Sequence, residues 1–177
     1  MTIVLGVDPG TATTGYGVVA RAGDGAVSLL ECGVIRTDAG EALPRRLRDI
    51  YEGIGEVIAR HPPDIVAVEG VFYARNVRTT VVLGHTRGAI LLAAALRDLP
   101  VVEYSPAEIK SAIVGTGRAT KEQIQYMVQR LLRLKTAPRP ADAADAVAVA
   151  LCHCYANTLR RLPEPMRFRA TAIGRQP

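Results

Sequence analysis

The stretch TIVLGVDPGTATTGYGVVAR, residues 2–21, decides the fold. Thr2 to Val7 reads as a buried strand, and Asp8 cuts the apolar run short. The Pro9-Gly10-Thr11 turn leads into a second strand, Thr14 to Arg21. A Gly23-Asp24-Gly25 turn then introduces a third, Val27 to Ile35. Three strands joined by tight turns predict an antiparallel meander.

From Leu43 the period changes. Leu47, Ile50, Tyr51, Ile54, Val57 and Ile58 recur at helical spacing, with Pro44 suited to a first turn. Pro62-Pro63 stops that helix, and Asp64 to Val68 is too short an apolar run for anything but a strand. A long helix is expected from Asn76 to Asp98, a strand from Val101 to Tyr104, and a short helix from Pro106 to Val114. Thr120 with Gln123 forms a capping-box pattern that opens a helix to about Leu134. The last helix is expected over Ala141 to Leu162. A meander followed by alternating helices and strands predicts an α/β fold, a five-stranded mixed sheet flanked by helices. The domain is expected to span residues 1–162. The segment 163–177 carries Arg167, Arg169 and Arg175 without periodicity and reads as a basic, flexible tail.

The 177 residues are enough for one domain with a real core, and 49% hydrophobic content excludes a disordered chain. No apolar run approaches the roughly 18 residues of a membrane span, so no membrane role is expected. Three cysteines, Cys32, Cys152 and Cys154, lack zinc-type spacing and read as reduced thiols, which places the chain in the cytoplasm. The formal net charge of +5 fits an anionic polymer partner and fits ordinary solubility equally well.

Four acids stand where charge is costly. Asp8 and Glu69 terminate apolar strands, and Asp142 and Asp145 share one face of a late helix at i and i+3. An aspartate in a first turn is often only a cap, and Asp142 alone reads that way. Asp145 has less structural reason, being surrounded by alanine and apolar positions. Ala143, Ala144, Ala146, Ala148 and Ala150 make the helix slim enough to lie close to a sheet. Strand ends on neighbouring strands converge at one edge, and a helix packed there would add its two aspartates. Four such carboxylates repel unless cations sit among them. Two divalent ions roughly 3.5–4 Å apart would relieve the repulsion and clamp a scissile phosphate. Hard oxygen donors favour Mg²⁺ or Mn²⁺.

The segment Ile3 to Thr11, then Gly15-Tyr-Gly-Val18, resembles the opening of the RuvC-type Holliday junction resolvases. So do Val68-Glu-Gly-Val-Phe72, Arg75-Asn76, Gly84, Arg87-Gly88, Ala141-Asp-Ala-Ala-Asp-Ala146 and Cys152-His153. The resemblance covers about residues 2–155. It implies a ribonuclease-H-like fold, a homodimer that nicks four-way junction DNA symmetrically in recombination and repair, and a branch-migration motor as a further partner. It also implies that Asp8, Glu69, Asp142 and Asp145 are the metal-binding catalytic carboxylates, some relatives carrying histidine where this chain has Asp142.

Phe72 and Tyr73 follow Glu69, with Arg75, Asn76 and Arg78 close behind. An aromatic among basic residues suits stacking on an unpaired base, whereas burial under the next helix is the commoner fate of phenylalanine. The resemblance supports the DNA role for Phe72. It also implies phosphate contacts for Lys110, Arg118 and Lys121, which composition alone would leave as solvated surface. The three histidines are expected to be structural: His153 in packing, His61 at a helix end, His85 in structure or at a dimer face. The helix from Asn76, with Leu83, Gly84, Ala89, Leu92, Ala93 and Leu96, is the expected dimer interface. Two other readings share some of these features. An ATP-binding actin or sugar-kinase-like fold also opens with a strand, an aspartate and a glycine-threonine turn. A non-catalytic junction-binding protein would keep the basic residues and dispense with the acids.

Overall fold

The meander forms as three antiparallel strands, β1 (Thr2–Asp8), β2 (Thr13–Arg21) and β3 (Val27–Arg36), in a computed structural model that describes residues 1–70 and 77–156. Then follow α1 (Leu43–Arg60), β4 (Ile65–Glu69), α2 (Val77–Ala95), β5 (Val101–Tyr104), α3 (Pro106–Val114), α4 (Lys121–Leu131) and α5 (Ala141–Ala156). The sheet order is β3-β2-β1-β4-β5, with β4 parallel to both β1 and β5. The mixed five-stranded α/β architecture expected from the sequence is the one observed. The expected tail at 163–177 lies outside the described residues, as does Leu162, the expected end of the last helix.

Two helices run shorter than their periodicity predicts, for one reason. The chain leaves α2 through Asp98 at φ 55°, and the Leu99 amide donates to the Ala94 carbonyl at 3.1 Å. It leaves α4 through Arg133 at φ 52°, and the Leu134 amide donates to the Gln129 carbonyl at 2.9 Å. Both are left-handed closures of a helix end, normally marked by glycine. Here neither is, so the pattern reads on past the stop.

Strand alternation sorts the core into two layers. Leu5, Val7, Val18, Val66 and Val68 face α1 and α2, packing with Ile50, Ile54, Val57 and Ile90. Val4, Val19, Ile65, Ala67 and Tyr104 face α3, α4 and α5. From Ala146 to Cys154 every residue of α5 is buried, since the helix has the sheet on one side and α3 and α4 on the other. At the far edge, Glu31 of β3 accepts from Arg60 at 2.7 Å and Tyr16 at 2.8 Å and pairs with His61. These contacts, Arg60 foremost, hold its carboxyl down at about 2.

The glycines of β1 and β2 set how near α5 can come. A Cβ on Gly6 would stand within 3 Å of the Ala146 oxygen and the Ala150 nitrogen; one on Gly15 would strike the Asp142 carbonyl; one on Gly17 would strike Val147. Gly6 and Gly17 are register partners, and Gly15 is paired with Asp8. The three therefore form a flat strip along which helix backbone meets strand backbone. At Gly6 the obstacle is backbone, which cannot move aside as a flexible side chain would. Gly6→Ala should therefore lower the unfolding free energy by about 3 kcal/mol in urea titration, the upper range for overpacking.

Candidate active site

Parallel pairing brings the first two acids together. β1 and β4 are in register with Val7 opposite Val68, so the next positions, Asp8 and Glu69, end their strands side by side. By alternation both lie on the α5 face, following Val4 and Gly6 in one strand and Ile65 and Ala67 in the other. Asp8 is also paired with Gly15, over which the first turn of α5 rests. That contact delivers Asp142 and Asp145. Carboxylate oxygens of Asp8, Asp142 and Asp145 lie within 4.8 Å of one another. Glu69 lines the same cleft, of about 300 Å³, with Asp8, Asp145, Lys110, Lys121 and the apolar side chains of Ile109 and Ile124.

The electrostatics are those of crowded anions in a half-dry place. Burial, then the charges of Glu69, Asp145 and Asp142, push the Asp8 carboxyl up to about 8. A hydrogen bond between the two carboxyls adds to this, raising Asp8 and lowering Glu69. Glu69 is itself raised, chiefly by burial and also by the Asp145 charge, against the opposing pull of Lys121 and Lys110. The Lys121 ammonium donates to Asp145 Oδ2 at 3.2 Å, and this partner raises its pKa. The negative pair at the start of α5 also sits at the positive end of the helix dipole.

Of the residues singled out by sequence, Asp8, Glu69, Asp145, Lys110 and Lys121 line this cleft, and Asp142 adjoins it through its cluster with Asp8 and Asp145. Arg118 is exposed and Arg78 lies exposed in the first turn of α2; neither lines the cleft. Phe72, Tyr73, Arg75 and Asn76 lie outside the described residues. His153 is buried, its Nδ1 2.8 Å from the Tyr104 hydroxyl, the packing role expected of it. His61 is the C-cap residue of α1, and His85 is exposed on α2. Two parts of the site were not anticipated. One is the glycine strip, whose signal was the alternation of Gly15 and Gly17 in β2. The other is the set of threonines around the turn after Asp8, which no spacing announces. A larger concavity of about 570 Å³, lined by Gln125 and residues 136–141, contains Arg139 as its one charged group and none of the acids.

The donor set is suited to a hard divalent cation. It is all carboxylate oxygen, without histidine or thiolate, and burial together with the neighbouring acids raises the Asp8 carboxyl, a repulsion that a cation among them would relieve.

Comparison with known proteins agrees. Residues 4–153 match the family model described as "Crossover junction endodeoxyribonuclease RuvC". A protein of that name from Moorella thermoacetica is 55% identical over 152 residues, covering 85% of this chain and 90% of its own. One from Shewanella sp. strain ANA-3 is 52% identical over 157 residues, covering 89% of each. Among solved structures, T. thermophilus RuvC in complex with a Holliday junction substrate superposes with a TM-score of 0.84 at 39% identity, over 89% of this chain and 95% of that one.

The raised Asp8 carboxyl has a consequence for stability. Between the unfolded value of 3.8 and about 8, the metal-free folded state binds a proton that the unfolded state does not. Stability from this group is thus full at low pH and is lost as pH rises through that window. The Glu31 contribution runs oppositely, fading only as pH falls from 4.5 towards 2. Calorimetry in chelator from about pH 5 to pH 8.5 should show a falling Tm, and Asp8→Asn should flatten the decline.

Proposed function

The chain belongs to the crossover junction endodeoxyribonuclease RuvC family, and from that premise we propose that it resolves four-way DNA junctions by paired symmetric nicks, in recombination and repair. The observation that carries the proposal is the convergence of Asp8, Glu69, Asp142 and Asp145 on one cleft that also holds two lysines. A protein that only bound junctions would have no use for carboxylates crowded at one cleft.

Asp8, Glu69, Asp142 and Asp145 would hold two divalent ions, Mg²⁺ or Mn²⁺, with Asp8 central because it neighbours all three other acids. Bound there, such ions supply activation of water and neutralisation of charge on the departing 3′-oxygen. The protein's own part is positioning. Glu69 and Asp8 fix the strand side of the cleft and the α5 pair fixes the helix side. Lys110 and Lys121 present positive charge to the phosphate from α3 and α4, and Ile109 and Ile124 narrow the space open to bulk water. Arg118 and the group Phe72, Tyr73, Arg75, Asn76 and Arg78 extend the DNA contact beyond the scissile bond. The three free thiols, two of them buried, support a reducing cytoplasmic setting. Family membership is the support for a branch-migration motor as a further partner.

Two opposed strands are cut by two sites in fixed relation, which a C2 homodimer provides. Helix α2 supports this with two dissimilar faces. Thr86, Ile90, Ala93 and Ala94 are buried against the protein's own core. Val77, Val81, Leu92 and Leu96 are exposed, and Gly84 and Gly88 between them have open space where a Cβ would be. A stripe with small residues at its middle suits close approach of a second copy of the helix.

Asp8→Asn should retain junction binding and lose at least about 10³-fold in cleavage rate, measured on a synthetic four-way junction with Mg²⁺ or Mn²⁺; cleavage at the parental rate would sink the assignment of the site. The double substitution Leu92→Glu and Leu96→Glu should yield a folded monomer in sedimentation velocity and abolish paired nicking. A parental dimer in that experiment would remove α2 from the interface.

A further inference from the structure

The turn after Asp8 is held from several directions, and one hold comes from an unexpected place. Inside the sheet layer, the Thr14 hydroxyl donates to the Gly10 carbonyl at 2.7 Å, and the Thr37 amide donates to the Ala12 carbonyl at 3.1 Å. The Thr37 hydroxyl donates to the Thr11 carbonyl at 2.6 Å and accepts from Arg46 Nε at 2.9 Å. The remaining contact crosses to α2, where the Thr11 and Thr86 hydroxyls are 2.8 Å apart. The Thr86 hydroxyl is also within 3.3 Å of the Val82 carbonyl of its own helix. The turn is thus tied on one side through Arg46 and Thr37 to the Thr11 carbonyl, and on the other through the Thr11 hydroxyl to Thr86.

Thr86 is fully buried in an otherwise apolar stripe with Ile90, Ala93 and Ala94. A hydroxyl in such a stripe needs a partner, and its own helix already provides one in Val82. The contact with Thr11 is therefore additional to what burial requires, and it is directed at the residue three places beyond Asp8. The other ties come from β2, β3 and α1; this one alone among those described joins the turn to α2, the helix whose outer face bears the exposed apolar stripe.

We infer that Thr86 is a positioning residue for cleavage: its hydroxyl fixes the Thr11 side of the turn, and with it the carboxyl of Asp8, relative to α2. The inference rests on the reading of Asp8 as a catalytic ligand. It needs no direct contact of Thr86 with DNA or metal.

Thr86→Val keeps the shape and removes the hydroxyl; Thr86→Ser keeps the hydroxyl and removes a methyl. On a four-way junction with Mn²⁺ at saturating protein, Thr86→Val should cleave about 10- to 100-fold more slowly, the scale expected for a reacting group displaced by a fraction of an ångström to an ångström. Its junction affinity should stay within about twofold, and Thr86→Ser should recover most of the rate. Thr11→Val should show the same loss, and the double variant should be no worse than either alone, since both remove one interaction. Cleavage by Thr86→Val within about twofold of the parent would overturn the inference, as would losses that multiply in the double variant or affinity falling in step with rate. Asp8→Asn in the same assay separates the two levels. If that variant cleaves, the reading of the site has failed; if it is inactive while Thr86→Val is not impaired, only the positioning role has.

Discussion

Helix α5 meets β1 and β2 backbone to backbone, with glycine on the strands and alanine or valine on the helix, and the site depends on that contact. Side chains normally hold a helix about 10 Å from a sheet. Here Gly6, Gly15 and Gly17 remove the spacer on the sheet, and Ala146 and Ala150 remove it on the helix. The first turn of α5 comes down on Gly15, the residue paired with Asp8. Asp142 and Asp145 then reach Asp8 with short side chains, which leave little freedom in where their oxygens fall. A larger residue at Gly15 would lift the turn and open the cluster, whatever the identity of the acids.

The same closeness sets the electrostatic problem. Parallel strands with matched ends put Asp8 beside Glu69, and the helix adds two more carboxylates from above. Burial and the neighbouring charges push the Asp8 carboxyl up to about 8, and the Lys121 ammonium donates to Asp145 Oδ2 at 3.2 Å. A divalent ion held among these acids would offset the same repulsion. Crowding of this kind costs stability at neutral pH, a common arrangement where function competes with stability.

Much of this was legible in the sequence because the signals were of the kinds that sequence preserves. Asp8 and Glu69 were visible as charges at the ends of apolar runs, Asp142 and Asp145 as a pair on one helix face, and the slim character of α5 as its alanines. Pairing of β1 with β4 was inferred only as convergence at an edge; the register that sets Asp8 against Glu69 is a property of two strands 60 residues apart. The overrun at Asp98 and Arg133 had a definite cause, since both take the left-handed conformation without glycine to announce it. Lys110, Arg118 and Lys121 were singled out together, by family resemblance alone, and the structure separates them by placement: the lysines line the cleft from α3 and α4, while Arg118 stands exposed before α4. Gly15 and Gly17 were read as part of a strand, although two glycines at alternate positions empty one face of it and so invite a helix.

Helix α2 shows why the threonines escaped notice. Read along the chain, Thr86 is one of several polar residues in the first half of α2, and such a hydroxyl commonly back-bonds to its own helix, as Thr86 can to Val82. What distinguishes it is that the hydroxyl of Thr11 arrives from a turn 75 residues earlier. That turn begins at Asp8, and α2 is also the helix whose opposite face carries Gly84, Gly88 and the exposed leucines. In the proposed homodimer, a helix tied to the turn after Asp8 on one side and to a second copy of itself on the other would set the relation of one site to its symmetry mate through a single element. Two nicks would then be registered against each other without a flexible linker between the site and the axis.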